Sequence, residues 1–374
     1  MGYHFTNNIN TTAAKTWSAV IARMRATAQD AYQRDLTLDK RIQFVQQYLL
    51  AKIWYVTQIS PPHPTDAIRR INTAIAWFIW NGEIFRVPLS TLQRGKNDGG
   101  WNMYNAEAKC RALFMYRLQK QSQQKGTITA DWLKHWNLNI KPGNPQYPVG
   151  ITEKMGYLRT YATDAAYIPE QWRTETPKVY KKRIYETLKA LAIAITPSMP
   201  MRAEKQCPEA EWTTIWKNLA LTPTTGEDKA NWYKVIHDII PTNERLHRIR
   251  IAPTDLCFEC NQKDTLIHRM IECGENAANW KRIQNHIARM LRVAPKNIPH
   301  DWLIRPQMKL WPPQRQRAVL WLLARYVSFT IERRRSQNPL DLMDFLKRSR
   351  WKLYQSSHRK KQVANFLMVL DMPQ

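Results

Sequence analysis

Four side chains with an affinity for metal fall between positions 257 and 273: Cys257, Cys260, His268 and Cys273, spaced C-x2-C-x7-H-x4-C. Nothing else in the chain restricts its folding so tightly. Two thiols three residues apart present two sulfurs from one turn. Zinc closes its structural sites with four thiolate or imidazole ligands in a tetrahedron. The spacing therefore predicts one structural Zn(2+) ion with no position left for a catalytic water. Three thiolates and a neutral imidazole leave such a centre near −1, and Arg248, Arg250, Lys263 and Arg269 stand close enough in sequence to offset it. The competing readings are four ordinary buried side chains, or a C-x-x-C redox pair, which would need a βαβ pattern that is absent here. Cys110 and Cys207 stand alone and read as packing residues; His247 reads as a surface histidine.

Charge comes next. The chain has 57 Lys and Arg against 30 Asp and Glu, a formal net charge of +27. Such an excess favours a polyanionic partner, since Lys and Arg release the counterions condensed on phosphates. With 16 Trp, 15 Tyr and 9 Phe, the chain has too many apolar anchors to stay unfolded. Only 11 Gly argue against a sheet-rich fold with many tight turns. No apolar run is long enough to span a bilayer, and residues 1–10 do not read as a signal peptide. Five Cys in 374 residues are not a disulfide scaffold, so a reducing compartment, nucleus or cytoplasm, is expected. Motifs for phosphate-binding loops, zinc proteases and serine hydrolases are absent.

Hydrophobic periodicity predicts a mostly α fold. Ile42, Val45, Leu49, Ile53 and Val56 recur at steps of three and four, which makes one helical stripe. Ser60-Pro61-Pro62-His63-Pro64 should end that helix. Ile68, Ile71, Ile75, Phe78 and Ile79 form a second stripe that stops at Asn81-Gly82. Residues 85–89 read as a short strand or extended loop, and Asn97-Asp98-Gly99-Gly100 as a turn. Further helices are expected over 106–120, 178–195, 314–335 and 340–354, with an Ala-rich helix in the first 35 residues. Residues 121–175, dense in Gly and Pro, read as a loop-rich connector, and 196–210 as a linker. Glu209 and Glu211 should sit in the first turn of a Trp-containing helix, and His237-Asp238 at an exposed helix end.

The C-terminus is strongly basic. Arg333, Arg334, Arg335, Lys347, Arg348, Arg350, Lys352, Arg359, Lys360 and Lys361 are interrupted only by Asp341 and Asp344 among acids. These cations are the candidate nucleic-acid contacts. Trp351 is expected to pack on the preceding helix. There, Val319, Leu322, Leu323, Tyr326, Val327, Thr330 and Ile331 make an apolar stripe, either core or partner surface.

Several of these segments resemble one family in order. Trp232-Tyr233-Lys234-Val235-Ile236-His237, then Pro241-Thr242-Asn243-Glu244-Arg245-Leu246, the Cys-Cys-His-Cys set and Trp280 resemble the zinc-binding C-terminal region of non-LTR (LINE-type) retrotransposon reverse transcriptases. Tyr48-Leu49-Leu50-Ala51-Lys52-Ile53-Trp54-Tyr55 looks like that family's first thumb helix, and Phe78-Ile79-Trp80-Asn81-Gly82 like its F-x-W-x-G element. Arg86-Val87-Pro88-Leu89 and Gly99-Gly100 match the basic loop and double glycine that follow. Trp101-Asn102-Met103 departs from the small and aliphatic residues usual after that glycine pair.

The resemblance spans roughly residues 36 to 120 and 211 to 285. It implies a thumb-like helical bundle over 36–120 after an N-terminal lead-in of 1–35. A connector over 121–210, a zinc-binding domain over 211–300 and basic C-terminal helices over 301–374 complete the expected order. It also implies a grip on RNA or an RNA–DNA hybrid, with target DNA as a further partner. The chain contains no Asp-Asp pair, whereas polymerisation needs paired metal-binding carboxylates. The expectation is a portion of a reverse transcriptase that lacks the palm and is no enzyme on its own, with a polymerase domain of the same element as a partner in trans. The alternatives are a helical protein-interaction module or a non-functional transposon remnant.

Overall fold

The computed structural model describes residues 9–59, 66–84, 86–124, 126–127, 131, 164–165, 167–195, 204, 207–306, 312–335 and 340–356. These residues are mostly helical and contain no strand; an isolated antiparallel bridge joins Leu256 to Lys263. The helices are α1 Ile9–Tyr32, α2 Leu38–Phe44, α3 Ala51–Ile59, α4 Asp66–Ile79, α5 Leu89–Leu92, α6 Ala106–Ser122, α7 Pro177–Ile195, α8 Trp212–Leu221, α9 Gly226–Ile236, α10 Asn243–Arg248, α11 Gly274–Leu291, α12 Pro313–Arg335 and α13 Leu342–Ser356. None of them is long and apolar enough to cross a membrane. The proline run at 61–64, most of the connector 121–210 and Arg359, Lys360 and Lys361 lie outside the described residues.

The chain divides into two compact units. The first comprises residues 1–36, 40–83 and 103–199; the second comprises 37–39, 84–102 and 200–374. The first unit thus gathers the lead-in helix, the two apolar stripes and the helices α6 and α7. The loop 84–102, which the resemblance assigns to the thumb, belongs to the second.

In the first unit, α1 buries Trp17, Val20, Ile21 and Met24, and packs against α3 and α4. Both stripes read from the sequence are buried throughout. Their helix is not uniform, however. Between Val45 and Leu49 it widens into a π turn, closed by the Leu50 N–H donating to the Val45 carbonyl at 2.8 Å. The extra residue turns Leu50 inward beside Leu49, which a 3.6-residue period cannot foresee. Arg41 is buried and donates to the carbonyls of Leu36 (2.9 Å) and Phe78 (3.0 Å). It thereby satisfies the C-terminal end of α4, where Asn81 and Gly82 take positive φ. A second apolar cluster joins Met115 of α6 to Ile184 and Leu188 of α7, with Ile168 between.

The second unit is built around α12. Positions 318–324 and 326–330 are all buried, so the helix is enclosed on every side rather than along one stripe. It packs against α9, α11 and α13. Asp228 of α9, itself the far half of a capping box with Thr225, accepts from Arg325 and from the Ser328 hydroxyl (2.6 Å). The ion pair and these hydrogen bonds outweigh a burial that alone would raise the carboxyl, leaving Asp228 below its ordinary value. The Trp232 indole N–H donates to the Leu303 carbonyl at 2.6 Å.

Of the two readings of residues 85–89, the loop holds for those described: 86–88 form no strand, and Leu89 already opens α5. The turn that follows depends on its glycines: Gly99 has φ +77°, and a Cβ on Gly100 would lie 2.2 Å from the Arg94 carbonyl oxygen. Tyr233 donates to the Gly99 carbonyl at 2.9 Å and so fixes the turn on α9. His237 departs from expectation: it is buried rather than at an exposed helix end. Its ring stacks on Trp216 with centroids 5.2 Å apart. Burial, then the nearby Arg94, pushes it down to about 3, because nothing there compensates an imidazolium. Asp238 instead pairs with Arg245 at 2.9 Å.

Candidate metal centre

The four side chains singled out by spacing converge. One ligand atom from each of Cys257, Cys260, His268 and Cys273 lies within 4.8 Å of all the others. Cys257 Sγ is 3.6 Å from Cys273 Sγ, Cys260 Sγ is 3.9 Å from Cys273 Sγ, and Cys260 Sγ is 3.2 Å from His268 Nε2. Cys257, His268 and Cys273 are buried, while Cys260 is exposed. This group could hold a metal ion, and its donor set is compatible with zinc.

Local structure explains the convergence. The Cys257 N–H donates to Gln262 O at 2.6 Å and the Asn261 N–H to Cys257 O at 2.9 Å, folding the chain back beneath the first two sulfurs. Asn261 takes φ +60°, the left-handed conformation that Asn tolerates. His268 opens a second π turn, over His268–Glu272, closed by the Cys273 N–H donating to the His268 carbonyl at 2.9 Å. That wide turn brings two residues five apart to one point. Cys273 then precedes α11 as its N-cap.

A buried acid ties the parts together. Asp264 is fully buried and accepts from the Asn243 N–H (2.7 Å) and from Arg269 Nε (3.1 Å). Burial alone would raise its carboxyl, but the Arg269 and Asn243 hydrogen bonds outweigh burial and hold it below the ordinary value. Arg269 also donates to the Pro241 carbonyl at 2.7 Å. Asn243 Nδ2 donates to the Leu256 carbonyl at 2.7 Å. The Pro241–Leu246 stretch thus serves as a polar brace for the cysteine turn.

Three of the four cations expected to offset the cluster have acidic partners of their own. Arg248 and Lys263 pair with Glu244 at 3.4 and 3.1 Å, and Arg269 pairs with Asp264. The cation on the sulfurs is Arg334, from α12: its Nη2 is 3.5 Å from Cys257 Sγ and its Nη1 3.8 Å from Asp264. Burial works to raise the Cys257 thiol, but hydrogen bonds from the Glu259 N–H, His268, Cys273 and Arg334 prevail and bring it down to about 6. Cys273 moves the opposite way, raised by burial and by the adjacent Cys257 and Glu259. Tyr326, also of α12, donates to the Met270 carbonyl at 2.7 Å and anchors the π turn to the core of its unit.

The basic residues separate into groups. Arg334, expected to meet phosphate, has a side chain only 11% exposed and faces Cys257 and Asp264. Arg333 is half-buried and donates to Asn276 Oδ1 at 2.8 Å. Lys347, Arg348 and Lys352 are exposed on α13, and Arg350 is half-buried. Arg335 ends α12, and its side chain, like Arg359, Lys360 and Lys361, lies outside what is described. Trp351 does not pack on the preceding helix: it is 60% exposed. In the first turns of α13, Leu342, Phe345 and Leu346 are buried, and Phe345 packs against Phe329 of α12.

Asp264 and the bracing role of Arg334 were missed from sequence. Asp264 has no distinctive spacing, and Arg334 reaches the cluster from 61 residues beyond Cys273. Among the remaining cysteines, Cys110 is buried and accepts from the Thr57 hydroxyl at 3.2 Å, as a packing residue would. His247 is exposed, with Nδ1 3.1 Å from the Ala252 carbonyl oxygen. Comparison of the sequence with models of protein families and with curated proteins returns no match.

Proposed function

We propose that this chain is a nucleic-acid-binding protein, the thumb and zinc-binding portion of a reverse transcriptase of the non-LTR retrotransposon kind. On this reading Cys257, Cys260, His268 and Cys273 hold one structural Zn(2+). The observation that carries it is the convergence of these four donors within 4.8 Å in a chain of net charge +27. A zinc–thiolate bond of about 2.3 Å requires tetrahedral sulfur–sulfur edges of about 3.8 Å. The separations of 3.6 and 3.9 Å between sulfurs fit that requirement. When bound, the ion supplies a cross-link and no chemistry. Arg334 and the Asp264 network orient the donors around it.

The partner is RNA or an RNA–DNA hybrid, gripped mainly through the phosphate backbone. Cations rather than shape complementarity would supply most of that grip, so affinity should fall steeply with salt. The test has two parts. Metal analysis of purified chain should return about one zinc per chain, lost in Cys257→Ser. Filter binding to RNA and to hybrid across a salt series should give a linear log–log slope. Absence of binding at low salt, or a flat slope, rejects the nucleic-acid reading whatever the zinc content.

A further inference from the structure

We propose that the outer half of α13 is a stacking platform for an unpaired base of single-stranded nucleic acid, with Trp351 as the stacking residue. This rests on the nucleic-acid reading above and adds to it a substrate class, since backbone contacts alone do not distinguish single strands from hybrid.

The helix has two halves with different surroundings. Leu342, Phe345 and Leu346 are buried, and Phe345 packs against Phe329 of α12 with ring centroids 5.5 Å apart. From Lys347 to Gln355 no described side chain is buried. In that half stands Trp351, 60% exposed. An indole held in water leaves a large apolar ring open to a partner, and its surroundings decide which partner fits. Its neighbour along the face is Tyr354, three residues on, with ring centroids 6.2 Å apart and planes 30° from parallel. Beside this partner the indole remains 60% exposed.

Charge chooses the occupant. Lys347 and Arg348 precede Trp351 by four and three residues, on the same side of the helix. Arg350 and Lys352 flank it. Between Phe345 and Gln355 there is no acid; Asp341 and Asp344 sit at the opposite end, in the docked turn. An open aromatic face among cations one helical turn away matches a base with its phosphates on either side. A membrane surface would need a broad apolar face instead. Among the described residues of α13, Trp351 is the single large apolar side chain that is strongly exposed.

The experiment compares the full chain with Trp351→Ala and Trp351→Phe on three probes: an oligothymidylate, an RNA–DNA hybrid of the same length, and anionic phosphatidylserine vesicles. Trp351→Ala should weaken oligothymidylate binding about tenfold and hybrid binding less than twofold, with the salt slope unchanged. Trp351→Phe should restore most of the loss. Equal affinity of Trp351→Ala and the parent for the single strand overturns the platform. So does an equal loss on both nucleic acids, or a loss confined to vesicles. A parent chain that binds hybrid but not oligothymidylate defeats the platform and leaves the broader reading standing; one that binds neither defeats both.

Discussion

The turn that carries Cys257 and Cys260 and the helix α12 that braces it are held by different physics. Between Leu256 and Lys263 only Cys257 is buried. The turn rests on backbone hydrogen bonds, on the Asn243–Asp264–Arg269 network, and on whatever joins the sulfurs. Helix α12 is the reverse: positions 318–324 are all buried, and each large apolar side chain there contributes about 2 kcal/mol relative to exposure. On the proposed reading, one region would lose its shape with its ion; the other would lose it only with its core.

Breaking each region in turn should separate them. The largest effect is expected for Cys257→Ser, which should abolish metal binding and open residues 250–273 to proteolysis, while far-UV circular dichroism keeps most of its helical signal. A collapse of the whole helical signal would break the comparison. Next, Asp228→Ala strands Arg325, whose side chain is 13% exposed. It should cost about 3–5 kcal/mol in urea unfolding and leave the metal content of the native state unchanged. Leu323→Ala leaves a cavity inside α12 and should cost about 3 kcal/mol, again with metal stoichiometry preserved.

A smaller effect follows from His237. Its folded-state value, about 3, lies below the ordinary 6.5, so between these limits the unfolded chain binds the extra proton. Its contribution to stability is complete above pH 6.5 and is lost progressively as pH falls toward 3. His237→Phe, which keeps a ring against Trp216, should flatten the stability profile in that window, and an unchanged acid limb would show that other groups govern it. The smallest effect belongs to a cap in the other unit. Asn105 Oδ1 accepts from the Ala108 N–H at 2.9 Å at the start of α6. Asn105→Ala should cost about 1 kcal/mol there and leave the metal content unchanged.

Much of the fold was legible in the sequence. Apolar residues at steps of three and four marked α3 and α4, because burial on one face leaves that imprint. Asn81-Gly82 marked the end of α4 through the positive φ that these residues tolerate. The same logic missed Leu50, since a π turn breaks the period it relies on. It read one stripe in α12 where every face is covered, because a helix enclosed by neighbours shows no polar side. His237 looked exposed beside Asp238, yet Trp216, distant in sequence, stacks on it. In the candidate site, the four donors were legible from spacing alone; the cation beside them was not.

Local chemistry along the chain thus determined the kinds of elements, their approximate limits and the four donors of one centre, because these depend on neighbours within a few turns. Tertiary structure decided which Arg faces the sulfurs, which acid is buried beneath them, and that Trp351 stands in solvent. Those outcomes depend on segments tens of residues apart coming together, and no local period records such a meeting.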